Sequence, residues 1–219
     1  MGRLLDVTVS AVVLAALLPV LLLIALANRV LTGHVLFRQV RVGRALRPFV
    51  MLKFQSMVDA PPGASTITAS GDRRITPLGH VLRALKMDEL PQLVNVLRGE
   101  MSLVGPRALT PNEVARVGDA TAARVYSVRP GMTGLAQLVF SDEERVLAAA
   151  ADPEGHYFDT ILPRKMAIES VYIQRKSLWL DLAIMVLTPA AILLPAFTRR
   201  VVQRWVSSHG GTIAAKESA

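Results

Sequence analysis

A mainly α-helical fold with one small β-hairpin, partly embedded in a membrane, is what the sequence predicts. Three observations carry that expectation. An uncharged apolar run of helix length lies near the N-terminus. Two short segments rich in valine and phenylalanine flank a basic, glycine-containing turn. Apolar residues then recur at spacings of three and four through the middle of the chain.

The chain has 219 residues, enough for one sizeable core or for one domain plus membrane elements. It is 52% hydrophobic yet only 5% aromatic, and its mean hydropathy of +0.39 is high for a soluble domain. The formal net charge is +8, which suits an anionic partner: nucleic acid, anionic lipid or a phosphorylated substrate. With no cysteine, disulfides and thiolate metal sites are excluded and a reducing compartment is permitted. The four histidines lack ligand spacing, which argues against zinc.

The first apolar segment is VTVSAVVLAALLPVLLLIALAN, residues 7–28, long enough as a helix to cross a ~30 Å hydrocarbon core. A cleaved signal peptide is not expected, because signal h-regions end by about 15 residues. Arg29, Arg38, Arg41, Arg44 and Arg47 also follow directly and resist translocation. Pro19 removes a backbone donor mid-segment and predicts a bend. Basic flanks at both ends with a bend between describe a hairpin that dips into the membrane and returns. A spanning helix with a tolerated proline fits the same residues equally well.

VLFRQVRVGRALRPFVMLKFQSM, residues 35–57, reads as the β-hairpin, and PPGASTITASG, residues 61–71, as a loop. Thr76-Pro77 is an N-cap followed by proline at the first helical position. Leu78, Val81, Leu82 and Leu85 then form one apolar face, with His80 and Arg83 opposite. Pro91 cannot continue that helix but can open another, carrying Leu90, Leu93, Val94 and Leu97 and stopped by Gly99. Asp88 and Glu89 fall at the junction of the two helices. Acidic residues start helices well, which accounts for one carboxylate. It does not account for two, ringed by Arg83, Lys86, Arg98 and Arg107.

Residues 127–138, SVRPGMTGLAQL, are turn-rich and carry Arg129; residues 141–177 read as helices on a solvated acidic and basic surface. SLWLDLAIMVLTPAAILLPAF, residues 177–197, is interrupted by Asp181, Pro189 and Pro195 and flanked by Trp179 and Trp205. That pattern suits interfacial helices, with a buried core helix as the alternative. The tail from Ser207 is predicted to be disordered.

Several chemistries are excluded. No Gly-rich phosphate loop, dinucleotide fingerprint or Gly-x-Ser-x-Gly elbow is present, and no Asp-x-Asp pair. Nucleic acid is not expected as a partner, because no stacking array or reading element accompanies the basic residues. What remains is a carboxylate pair among guanidinium groups beside a membrane. A carboxylate can attack phosphorus to give an acyl phosphate, with arginines offsetting the phosphate charge.

DRRITPLGHVLRALKMDELPQLVNVLRGEMSLVGPRA resembles the signature of the bacterial sugar transferases, monotopic polyprenol-phosphate phosphoglycosyl transferases. The likeness extends to LLPVLLLIAL, VLFRQVRVGR, KFQSM, RPGMTGLAQ and SLWLDLAIM, and so spans residues 3 to about 188. It implies an N-terminal re-entrant membrane helix hairpin over residues 1–30, bent at Pro19. A transferase domain over residues 31–198 would follow on the cytoplasmic face of the bacterial inner membrane, with a basic, then disordered tail over 199–219.

The implied reaction moves a sugar 1-phosphate from a UDP-sugar donor to a polyprenol (undecaprenyl) phosphate acceptor and releases UMP. It would begin a surface glycan such as an exopolysaccharide or O-antigen. By the same resemblance Asp88 is the nucleophile and Glu89 its partner in proton transfer or metal binding. Asp88 and Glu89 would hold Mg2+, and Lys53, Arg83, Arg107 and Arg129 would bind phosphate. Membrane lipids are implied partners, and a homodimer is allowed. There are departures. Leu18 stands where a serine usually precedes the proline, and Gln55, Lys86, Glu100 and Ala108 replace other usual residues. LVFSDEER takes the place of an asparagine-glycine-arginine segment, which bears on sugar specificity. The rival from another class is a catalytically silent membrane adaptor that keeps this fold.

Overall fold

The computed structural model of the chain describes residues 2–58 and 71–210. The loop expected at 61–71 therefore lies, apart from Gly71, outside the described residues, as does the tail beyond 210.

Helix α1, Arg3–Thr32, is assigned without interruption through Pro19 and ends on Gly33 in the left-handed conformation (φ 76°). The two-helix hairpin expected at Pro19 is thus not seen as a break in the helix. The globular part holds α1 at both ends. At its start, the Arg3 guanidinium donates to the Val96 and Leu97 carbonyls at 2.5 and 2.8 Å. One turn later the buried Asp6 carboxylate accepts from the Ser102 hydroxyl at 3.0 Å and the Leu103 N–H at 3.1 Å. Near its end, Ile24 packs with Phe54 and Leu82, and the Asn28 amide donates to the Val35 carbonyl. Between these ties, Val12, Leu18, Leu22 and Leu23 are exposed.

The β-hairpin is present. Strand β1, Leu36–Val42, pairs antiparallel with β2, Pro48–Phe54, in a register that sets Val40 opposite Val50. Its turn is unusual in that Ala45 and Leu46, neither of them glycine, hold positive φ. The Ala45 N–H donates to the Tyr126 carbonyl at 2.8 Å, so contact with the next layer holds this turn.

Helix α2, Pro77–Ala84, starts as expected: the Thr76 hydroxyl accepts from the Gly79 N–H at 2.9 Å. Only half of its expected apolar face is inside. Leu82 is buried and Leu78 packs beside it, but Val81 and Leu85 are exposed. A 3₁₀ turn, Met87–Glu89, leads through Pro91 to α3, Gln92–Arg98, which Gly99 terminates at φ 83°. Of the expected Leu90, Leu93, Val94 and Leu97, Leu93 is buried and Leu90 packs against the core, while Val96 and Asn95 take the inner places in Val94's and Leu97's stead.

Strand β3, Ser102–Val104, precedes α4, Pro111–Ala115, and α5, Asp119–Val125. Strand β4, Gly131–Thr133, then returns parallel to β3. Three-residue strands carry too little alternation to be read from sequence. Their pairing requires glycine: a Cβ on Gly131 would sit 2.1 Å from the Gly105 nitrogen.

Helices α6, Leu135–Val139, α7, Glu143–Ala149, and α8, Pro153–His156, come next, and a π-helical turn leads into α9, Leu162–Arg175. The solvated surface expected here is corrected by α9, a core helix whose Lys165 and Glu169 are buried with Met166, Ile168 and Tyr172. Helix α10, Leu178–Leu193, buries Asp181 and Ile184 but exposes Leu178, Trp179, Val186 and Leu193. Helix α11, Pro195–Ser208, carries regular structure past the boundary drawn at 198 and past Ser207.

The joint between α1 and β3 yields a test. Asp6→Ala leaves the Ser102 hydroxyl and Leu103 N–H buried without an acceptor, and should cost about 1–3 kcal/mol of stability. A thermal melt of purified protein in detergent reads this directly; an unchanged melt would show that the tie contributes nothing.

Candidate active site

The carboxylate pair sits on the 3₁₀ turn after α2, and the turn's geometry decides what each carboxylate meets. Lys86 enters it with φ 57°, which swings the chain over and buries Asp88. Glu89 faces the C-terminal end of β2, where the Lys53 ammonium donates to its Oε1 at 2.7 Å. Arg107 reaches the same place from the loop after β3. A narrow cleft is lined by Lys53, Glu89 and Arg107 together with Arg41, Gln92 and Gln137.

The two carboxylates differ in charge preference. Burial pushes the Asp88 pKa above the ordinary carboxylate range, and the like charge of Glu89 adds to it against the opposing pull of Lys53, Arg83 and Lys86. Burial also works against the Glu89 charge. There, however, Lys53, Arg107 and Lys86 outweigh it and hold its pKa at about 2. Arg107 is the counterpart: burial opposes its charge, but Glu89 and Glu143 more than restore it and its pKa is raised. The cationic cleft thus holds a firmly ionised Glu89, and beside it on the same turn, buried and not lining the cleft, lies Asp88, whose negative charge is disfavoured.

The other expected phosphate ligands divide. Arg83, on α2, lies close enough to Asp88 to favour its ionised form, and its outer face is ion-paired with Glu144 of α7. Arg129 is not among the residues lining the cleft. Its Nε donates to the Gly99 carbonyl at 2.8 Å, which caps the C-terminus of α3 beside the Arg3 contacts. Pro19 lies within α1, away from these side chains in sequence and assigned helical like its neighbours. The SDEER departure is now placed: Asp142 pairs with Arg199, Glu143 with Lys165 and Glu144 with Arg83.

Sequence reasoning missed the layer under the cleft. Arg41 counted only as a topology charge. In the structure its guanidinium donates to the Ala108 carbonyl at 3.0 Å, to Glu113 at 3.2 Å and to the Gln39 amide oxygen. Glu113 also accepts from the Tyr157 hydroxyl at 2.5 Å and completes a capping box with Thr110. The available signal was the Thr-Pro-x-Glu start of α4, which marks a helix but not a buried ion pair.

No group of three or more His, Cys, Asp or Glu side chains able to hold a metal occurs among the described residues. Two adjacent carboxylates still fit magnesium, which typically takes one or two protein carboxylates and completes its shell with substrate phosphates and water.

The pKa directions predict opposite stability effects. Glu89, lowered to about 2 from 4.5, contributes stability that is fully present above about pH 5 and is lost as pH falls from 4.5 towards 2. Glu89→Gln should therefore destabilise the protein at pH 7, by about 1–3 kcal/mol for a broken, partly buried charge-assisted bond. Asp88 is raised, so the fold favours its neutral form and loses stability as pH rises through its folded pKa. Asp88→Asn should raise the melting temperature at pH 7 by a few degrees. Equal shifts of the same sign in both variants would overturn this assignment.

With the geometry in place, the chain can be set beside known proteins. The family model for bacterial sugar transferases matches residues 1–195. A UDP-glucose:undecaprenyl-phosphate glucose-1-phosphate transferase of Caulobacter vibrioides is 41% identical over 199 residues, covering 87% of this chain and 69% of its own length. An enzyme of the same description from Klebsiella pneumoniae is 38% identical over 192 residues. This chain covers 38% of its length. The exopolysaccharide production protein ExoY of Sinorhizobium fredii is 32% identical over 206 residues, covering 86% of this chain and 84% of its own. The matched block contains Asp88, Glu89, Lys53 and Arg107, and the chain belongs to the bacterial sugar transferase family.

Proposed function

We propose that the protein is a membrane-bound phosphoglycosyl transferase. It takes a sugar 1-phosphate from a UDP-sugar, passes it to undecaprenyl phosphate, and releases UMP. The observation that carries this reading is the convergence of Glu89, Lys53 and Arg107 on one cleft, with the buried Asp88 next to Glu89 on the same 3₁₀ turn. Relatives described as glucose-1-phosphate transferases to undecaprenyl phosphate support it, and so does a relative described by exopolysaccharide production.

The diphosphate of the donor enters the cleft against Lys53 and Arg107, with Arg83 released from Glu144 to share its charge. These cations lower the cost of ionising Asp88 in its buried position. An Asp88 carboxylate oxygen then bonds to the β-phosphorus, and the bond from that phosphorus to the bridging oxygen breaks. UMP departs with the electron pair. In the second half the acceptor's phosphate oxygen bonds to the same phosphorus and Asp88 leaves as a carboxylate, giving a polyprenol diphosphate sugar. Glu89, ionised and fixed by Lys53, is placed to manage the proton or to hold a metal. Mg2+ held by Asp88 and Glu89 would neutralise charge on the diphosphate.

The membrane pose is part of the proposal: α1 enters the bilayer and both of its ends return to the cytoplasmic face. At 1.5 Å per residue a helix of this length is about 45 Å long. Arg3 and Asp6 at one end and Ile24 and Asn28 towards the other all bond or pack against the same globular body. A helix crossing the bilayer would carry one of those sets to the far side. The exposed Leu178, Trp179, Val186 and Leu193 of α10 supply an apolar surface beside it.

Incubation with a sugar-labelled UDP-glucose, without acceptor, should release up to one equivalent of UMP and leave a phospho-sugar mass on the protein. Asp88→Asn should abolish both, and excess chelator should stop turnover. An unmodified protein mass under active conditions would rule out the covalent step, and no UMP from any UDP-sugar would favour the silent adaptor. For topology, Gly2→Cys and Ala45→Cys should both resist a membrane-impermeant thiol reagent in intact cells. Labelling at position 2 alone would establish a spanning helix.

A further inference from the structure

We infer that Glu169, on α9, is a positioning residue that sets the height of Arg107 in the donor cleft by accepting from its backbone N–H. The inference rests on the transferase reading, in which Arg107 meets the donor diphosphate.

The peptide of Arg107 is gripped on both sides by helix side chains. Its N–H donates to Glu169 Oε1 at 3.3 Å, and its carbonyl accepts from the Tyr126 hydroxyl at 2.9 Å. The same hydroxyl accepts from the Leu109 N–H at 3.1 Å, so the turn after Pro106 is fixed at three successive points. On the other flank, the Gly131 N–H donates to the Pro106 carbonyl at 2.9 Å. The Arg107 side chain leaves this clamp towards Glu89 and Lys53. A shift of its backbone would therefore move the guanidinium away from where the donor diphosphate binds, weakening donor binding in ground state and transition state alike.

Glu169 is an improbable residue for packing alone. It is wholly buried on a core helix, and its Oε2 has no hydrogen-bond partner. An apolar side chain would avoid that cost. The charged and titratable groups that face it are Arg107 from the β3–α4 loop, Lys165 and Tyr172 from its own helix, and Tyr126 from α5. Lys165 is already engaged by Glu143, so it does not claim Glu169 as an ion-pair partner. Burial raises the Glu169 pKa to about 8 against the opposing pull of Arg107 and Lys165. Near pH 7 the side chain is accordingly the neutral acid, a shape and polarity that glutamine reproduces. When it ionises, its charge lies beside Arg107 and offsets the field that holds the diphosphate.

Two variants separate positioning from packing. Glu169→Gln keeps the acceptor oxygen, whereas Glu169→Met keeps the volume and removes it. With UMP release from UDP-glucose as the readout at pH 7, Gln should hold the donor KM within about twofold of the starting protein. Met should raise the KM about five- to tenfold with kcat moved less than twofold and a cooperative melt retained. A KM for Met equal to the starting protein, or equal losses in Met and Gln, would overturn the proposal. If Met does not melt cooperatively, the pH dependence decides. The donor KM of the starting protein should rise between pH 7 and 9, and Gln should remove that rise; identical profiles would overturn it. Failure of the starting protein to release UMP from any UDP-sugar would instead count against the transferase reading itself.

Discussion

The contact between Lys53 and Glu89 is the one on which the site depends. It joins the β-hairpin to the carboxylate turn, two parts of the chain 36 residues apart, through a single 2.7 Å bond. It also decides which of two neighbouring carboxylates carries the charge. Two carboxylates on adjacent residues, one buried and one half-buried, repel and cannot both ionise cheaply. By committing its ammonium to Glu89, Lys53 leaves Asp88 as the side chain whose ionisation is in question, the asymmetry on which the proposed chemistry relies. Removing either partner would leave the other charged, buried and unpaired, which costs far more than the pair is worth intact.

Around that contact the protein accumulates charge in layers instead of avoiding it. Above the cleft, Glu144 covers Arg83 and Glu143 holds Lys165; below it, Glu113 holds Arg41. Arg83, Lys165 and Arg41 each therefore meet an acid from another element, which ties α2 and α9 to α7 and β1 to α4. A net charge of +8 is tolerable because the clustered arginines and lysines are locally balanced where they are most crowded.

Sequence reading located the parts of this arrangement that local chemistry fixes. Thr76-Pro77 and Gly99 mark helix ends by capping geometry, and those ends stand where expected. The hairpin was legible because seven-residue strands are long enough to show composition. Asp88 and Glu89 drew notice because acids are out of place among arginines. What escaped were features created only by long-range contact. The β3–β4 pair depends on two glycine-bearing segments meeting, and Arg41, Glu113 and Glu169 gain their meaning from partners dozens of residues away. Arg129, expected to bind phosphate, adds a contact of the same kind: its Nε bond to the Gly99 carbonyl is invisible in one dimension. Helix α9 misled for a related reason, since charged letters suggest a wet face whether or not another helix covers them.

Helix α2 joins two of these observations. Val81 and Leu85 are exposed along one stripe, while Arg83, about 200° around the axis from Val81, lies near Asp88. The apolar surface that α10 presents in the membrane pose proposed above is thus matched by a stripe on α2, on the side away from Arg83. Were that stripe to rest on lipid, the Arg83 side would stand about one helix thickness above it, roughly 10 Å with side chains, and a rigid cylinder would set that height.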